Sequence, residues 1–171
     1  MLPPNEPVRS GGRRPSVLVW AAALALAGPV AAADMDLRLV PQVMVGTAGL
    51  EPGAALEWRG WHPRPILRPE AFINEDGRVG GGGAILHDLS TALGLPMRHA
   101  LAAGPRVVHH NSDDYDWEAD ALVIWSYDLV GGARSWRHSV ELIGAAGVVR
   151  DKDDDDYGLG LSAGVGYAFG F

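Results

Sequence analysis

No cysteine occurs among the 171 residues, which excludes disulfides, thiolate chemistry and a CxxC zinc site. No apolar run outside the extreme N-terminus reaches the ~18–20 residues of a spanning helix, so a helical membrane protein is excluded. Basic charge is scarce. Fourteen Lys and Arg against 21 Asp and Glu leave a net charge of −7, the wrong sign for a protein that tracks nucleic-acid phosphates. Glycine (23) and proline (12) are abundant, together about a fifth of the chain, above an ordinary helical domain and below low-complexity disorder. The length accommodates one domain.

Near the N-terminus, Arg13 and Arg14 precede an apolar stretch from Val17 to Ala27, which stops at Gly28-Pro29 and is followed by Ala31-Ala32-Ala33. A basic flank, a short apolar core and an A-x-A site predict a secretory signal peptide over residues 1–33, with residues 1–12 as an extension. Cleavage after Ala33 would leave residues 34–171 as the folded domain. Removing Arg9, Arg13, Arg14 and Glu6 with the leader takes the net charge from −7 to −9. Without disulfides, stability in an oxidising compartment must come from burial or from a closed hydrogen-bond ladder.

The other end of the chain points to the fold. Stepping back by two from Phe171 gives Phe169, Tyr167, Val165, Ala163, Leu161, Leu159 and Tyr157, all apolar or aromatic. The interleaved positions are Gly170, Ala168, Gly166, Gly164, Ser162, Gly160 and Gly158. That is the period of a β-strand, with one greasy face and one almost bare. A bare, uncharged face suits the interior of a narrow barrel, while the greasy face suits lipid. The pattern resembles the C-terminal recognition signal of bacterial outer-membrane barrels. The resemblance implies that Tyr167, Phe169 and Phe171 engage the barrel-assembly machinery.

Tyr115–Leu129 alternates in the same way. Tyr115, Trp117, Ala119, Ala121, Val123, Trp125, Tyr127 and Leu129 share one face; Asp116, Glu118, Asp120, Leu122, Ile124, Ser126 and Asp128 share the other. Trp117 and Trp125 lie about 26 Å apart along a strand, or roughly 20 Å of depth at ~40° tilt. This is close to the spacing of two aromatic girdles. The expected strands are Asp36–Val45, Ala54–Arg59, Pro65–Ile73, Val79–Leu89, Met97–His109, Tyr115–Leu129, Trp136–Val149 and Tyr157–Phe171. The expectation is therefore all-β: an eight-stranded antiparallel up-and-down transmembrane barrel after a signal peptide. Pro41, Pro65, Pro69 and Pro105 fall inside these segments, where each forfeits a ladder donor. Gly80–Gly83 is too featureless to set register. With no Lys-Ser/Thr and no helix after it, the run does not read as a phosphate loop.

If both termini face the periplasm, the outward connections are Gly46–Gly53, Asn74–Arg78, His110–Asp114 and Arg150–Asp156, which are rich in acid. The inward ones, Gly60–Arg64, Ser90–Pro96 and Val130–Ser135, hold or adjoin Arg59, Arg64, Arg98, Arg134 and Arg137. Asp153, Asp154, Asp155 and Asp156 are candidates to share divalent cations at a lipopolysaccharide surface, but without a DxDxDG spacing a solvated repulsive loop is the preferred reading of the run. Glu57, Glu70, Glu118, Asp120 and Glu141, with Arg68, Arg98 and Arg106, are expected to fill the lumen as ion pairs. An eight-stranded barrel has room only for side chains, so an open porin is not expected.

One constellation has catalytic residue types: His109-His110-Asn111-Ser112, with Glu118 beyond. It loosely resembles the lipid A deacylases, outer-membrane esterases with a Ser/His/Glu arrangement. That resemblance would make Ser112 the nucleophile, His110 the base and Glu118 its orienter. The family's His-x-Ser-Asn reads His-Asn-Ser-Asp here, and parity turns His110 and Ser112 toward the lumen. The preferred expectation is a monomeric outer-membrane barrel with a structural or surface-interaction role, without cofactor, metal or catalytic centre. A soluble lipocalin-like binder is the third reading, favoured only if the apolar faces point inward.

Overall fold

The computed structural model describes residues 36–59, 65–130, 138–152 and 156–170. The predicted signal peptide, Arg64, Arg134, Asp153–Asp155 and Phe171 lie outside them. Among the described residues there is no helix. Eight strands run β1 (Asp36–Gly46), β2 (Gly49–Arg59), β3 (Ile66–Ile73), β4 (Val79–Asp88), β5 (His99–His109), β6 (Tyr115–Asp128), β7 (His138–Asp151) and β8 (Tyr157–Gly170). Each pairs antiparallel with the next, and β8 pairs back with β1 to close the barrel. Closure removes the sheet edges that an open ladder would leave.

One rim, called here the terminal rim, carries the start of β1 and the end of β8. The far rim carries the connections 47–48, 74–78, 110–114 and 152–156. The first far-rim connection is much shorter than the expected Gly46–Gly53. Gly46 pairs with Gly49 across only Thr47-Ala48, and Gly49 takes a φ of 95°. Thr47 and Ala48 have no positive φ, so the hairpin uses an unprimed turn followed by a left-handed residue, a role glycine fills without steric cost. As a result β2 begins five residues earlier than expected and brings Glu51 into the barrel wall.

Every strand alternates. On β1, Leu37, Leu39, Val43 and Val45 are exposed, while Arg38, Val40, Gln42 and Met44 are buried in the lumen. On β6, Glu118, Asp120, Leu122, Ile124, Ser126 and Asp128 are buried, and the apolar set predicted from sequence faces out. The apolar faces of all eight strands thus point away from the barrel axis, opposite to the arrangement that a lipocalin-like interior requires.

The strand prolines explain the ladder. Pro41, Pro52, Pro69 and Pro105 all face outward. The β1–β8 ladder skips Val40 and Pro41, the β2–β3 ladder skips Leu56 opposite Pro69, and the β4–β5 ladder skips Ile85 opposite Pro105. Each interruption follows from the missing N–H. β6, β7 and β8 contain no proline and pair without a gap apart from a bulge near Tyr115.

Bare inward positions make room for neighbours. A Cβ on Gly160 would stand 2.7 Å from the Glu118 carboxylate, and one on Gly166 would stand 2.9 Å from Val40 Cγ1. Gly82 sits where the β5 backbone at Val107 and Val108 comes close. The glycine run therefore has a fixed register, Gly80 to Gly83 against Phe72 to Pro69, set by the side chains and backbone packed over it.

Candidate functional site

The lumen splits into an apolar cluster and a charged column. Met44, Ile66, Ala84, Leu86, Ala102, Leu122, Ile124, Ile143 and Ala145 form the first. The second begins near the terminal rim, where Arg38 donates to Ser139 and pairs with Glu57 and Glu141, each at 3.0 Å. Arg68 bridges the same two carboxylates, with Glu141 at 2.9 Å, and Arg59 reaches Glu57 at 3.1 Å. Arg68 also donates to Gln42 Oε1 at 2.6 Å, and Gln42 Nε2 donates to Glu70 at 3.0 Å. Arg106 then reaches Glu70 at 3.3 Å and Asp120 through Nε at 3.0 and 3.1 Å. Glu118 lies 3.9 Å from Arg106 and accepts from His110 Nε2 at 3.0 Å. His110 Nδ1 ends the column on Glu51 at 2.7 Å.

Donors and carboxylates alternate along this column, and all of its members are buried. Charges in a low-dielectric interior persist only when paired and hydrogen-bonded. The guanidinium fork suits this role because it serves two carboxylates at once. The sequence-based ion-pair set is largely found here: Glu57, Glu70, Glu118, Asp120, Glu141, Arg68 and Arg106. Arg98 is a correction. It precedes β5 and is exposed, and its carbonyl accepts from the Asp128 amide at 2.9 Å. Arg38, Arg59 and Glu51 join the column without having been foreseen, and His110, turned to the lumen by parity, proves to be one of its cations. Inward parity on β1 would have revealed Arg38, whereas Glu51 was hidden by the longer loop expected over Gly46–Gly53.

His110 follows the last residue of β5 and closes the far mouth. Its ring packs on Phe72 at 5.7 Å, and its carbonyl accepts from Asn74 Nδ2 at 3.0 Å. Burial opposes its charged form, yet the hydrogen bonds to Glu118 and Glu51 and their negative charges prevail, raising the imidazole to about 9. It is an imidazolium at neutral pH, with both nitrogens donating.

That state bears directly on the esterase-like constellation. His110 and Glu118 do meet, but a base must offer a nitrogen lone pair to the nucleophile. Both His110 nitrogens are occupied by carboxylates. Ser112 Oγ instead accepts from the Tyr115 amide at 2.8 Å and donates to the Tyr115 carbonyl at 3.0 Å. Ser112 is a loop-closing hydroxyl in this structure, not the partner of a base.

The far rim is laced together by its own loops. Arg78 forks onto Asp113, a pairing that raises its already high pKa. The Leu50 amide donates to Glu75 at 3.0 Å, the Asp113 amide to Asp76 at 3.2 Å, and Lys152 Nζ to the Ser112 carbonyl. A cleft of about 200 Å³ remains over the short β1–β2 turn, lined in part by Thr47, Gly49, Glu75, Asp76 and Asp114. Of the predicted acidic run only Asp156 is described, and it accepts from the Tyr157 amide at 2.7 Å. Among the described residues no cluster of three or more His, Asp or Glu is arranged to hold a metal.

The outward surface is the other candidate. Between the rims its side chains are Leu, Val, Ile, Ala, Pro, Gly and aromatic residues with one exposed histidine, His87, and no Asp, Glu, Lys or Arg. Trp125 stacks beside Tyr127, with His99 against both. Tyr167 and Phe169 lie 4.6 Å apart with His138 alongside. These rings line the terminal rim. At the far rim Trp117 meets Tyr157 edge-on at 5.8 Å, and charge reappears where Arg150 and His109 meet Asp116. No protein-family model, curated protein or solved structure matches this chain.

Proposed function

We propose that this closed barrel is an exported bacterial outer-membrane protein, monomeric, with a structural or surface-interaction role and no open pore. The observation that carries the reading is the uncharged outward face between two aromatic rims. In water a contiguous apolar surface on this scale marks an aggregation or interaction liability. In a bilayer it is the ordinary lipid-facing band of a spanning barrel. A closed ladder is also one of the only two backbone arrangements that satisfy their hydrogen bonds in lipid.

The filled lumen supports the second half of the proposal. A solute crossing the barrel would have to displace the column from Arg38 to Glu51, whose charged members are paired with one another. The far rim, rich in carboxylates, suits contact with lipopolysaccharide through shared divalent cations. At the other end, Tyr167 and Phe169, with Phe171 beyond the described residues, are the groups proposed to engage the assembly machinery. Deleting Phe171 should then lower the folded amount in the outer membrane while export continues; unchanged outer-membrane levels would remove that role.

Gel migration tests the reading as a whole. Protein extracted from the envelope fraction in mild detergent should run faster unheated than boiled, with β-type circular dichroism. Recovery as a soluble monomer without detergent would refute the membrane assignment.

A further inference from the structure

The far rim is uneven, and its lowest point exposes a strand edge. β7 and β8 have 14 residues each, whereas β1 and β2 have 11 and turn back at Thr47-Ala48. The last β1–β8 partners are Gly46 and Ser162. Tyr157 to Gly160 therefore rise past the β1–β2 hairpin, and among the described residues β7 is the one strand paired with them.

Thr47 caps the bottom of this overhang. Its amide donates to the Leu161 carbonyl at 2.9 Å. Its hydroxyl accepts from the Leu161 amide at 3.0 Å and donates to the Leu159 carbonyl at 3.4 Å. By strand alternation, the N–H of Leu159 and the C=O of Tyr157 point to the same side, and among the described residues neither has a partner there. The Tyr157 amide is occupied by Asp156. Leu159 is 68% exposed. Such an edge is a template for one more strand.

The surroundings specify what that strand would carry. Outward, it would continue a greasy surface beside Tyr157 and Leu159. Inward, it would cross the cleft that Thr47 shares with Glu75, Asp76 and Asp114, while Gly158 and Gly160 present no side chain to obstruct it. The rim's own cations are engaged, Arg78 with Asp113, Arg150 with Asp116 and Lys152 with the Ser112 carbonyl. A second copy of this chain would set like-charged rims together. From this we infer that the far rim docks an extended peptide segment alternating basic and apolar residues, added as a strand to the Tyr157–Leu159 edge. Main-chain bonds would supply affinity, and alternate side chains would supply selectivity. The inference concerns the barrel itself and goes beyond any role in membrane structure.

The probe is a fluorescent heptapeptide alternating Lys and Val, titrated by anisotropy against protein made from the complete coding sequence and purified in detergent. Circular dichroism and heat-modifiable migration verify the barrel beforehand, so a failed membrane assignment and a failed docking surface give different results. The Lys peptide should bind, weaken as salt rises, and lose about tenfold or more in affinity when its edge amides are N-methylated. The Glu–Val analogue should not bind. Leu159→Pro, which removes the free donor, should weaken the Lys peptide by a similar factor. Equal binding of the N-methylated peptide would reduce the interaction to charge and overturn the strand-addition claim. So would absent binding of the Lys peptide, or a protein dimer that Leu159→Pro dissociates.

Discussion

The two faces of the same strands obey opposite rules. On β6, Glu118, Asp120, Ser126 and Asp128 are buried, while Ala121 and Val123 are exposed. In a water-soluble barrel the apolar side chains would be inside and the charges outside. Here charge is tolerated within because the groups are paired along the column or, for Asp128, bonded to the Val130 amide, and it is absent without because nothing there would match it. The difference teaches that polarity in this chain follows the availability of partners, not depth from the surface. Each face therefore fails in its own way when its rule is broken.

Removing one partner from the column should produce the largest effect. Arg68→Met leaves Glu57 and Glu141 short of a shared cation, and loss of one member of a buried pair costs about 3–5 kcal/mol. A lowered urea midpoint in detergent is the expected outcome. Placing a charge on the other face should cost slightly less: Val123→Arg, at the middle of the outward surface, is expected to destabilise the protein in bilayers by about 2–4 kcal/mol. A neutral result for Val123→Arg in lipid vesicles would break the comparison on its outer side.

Titration sharpens the inner side without any substitution. His110 moves from an ordinary value near 6.5 to about 9 on folding, so its contribution is fully present below pH 6.5. It is lost as pH rises through about 9, when the folded imidazolium gives up its proton. Unfolding free energy should fall by on the order of 3 kcal/mol over that window, and His110→Gln should flatten the profile. The smallest effect is expected from Gly160→Ala. Its Cβ would meet the flexible Glu118 carboxylate, giving roughly 1 kcal/mol of crowding and a shifted His110 titration.

Legibility in the sequence divided along the barrel. β6 and β8 were plain because they lack proline and alternate over 14 residues. In β1, β2, β3 and β5 prolines interrupt the pattern or the ladder, in β4 the glycine run blurs it, and the β1–β2 turn was overestimated because Gly46, Gly49 and Gly53 all read as turn residues. Five carboxylates of the column, Glu57, Glu70, Glu118, Asp120 and Glu141, were legible as lumen residues, those of β6 by parity. Their pairing was not, because Arg38 and Glu141, or Glu51 and His110, meet only after the sheet has closed. The Ser112, His110 and Glu118 grouping shows the same limit from the other side. Adjacent residue types suggested a catalytic set, but Glu51, 59 positions away from His110, occupies the nitrogen that such a set would need.

The central claim, that the outward face of these strands meets lipid and the inward face does not, has a direct test because the chain has no cysteine to interfere. A spin label at Val123→Cys, in protein reconstituted into vesicles, should relax with dissolved oxygen and be shielded from a water-soluble nickel chelate. Labels at Leu159→Cys and Leu37→Cys, toward the two rims, should show progressively more chelate contact. Chelate access at Val123 equal to that at the rims would contradict the account.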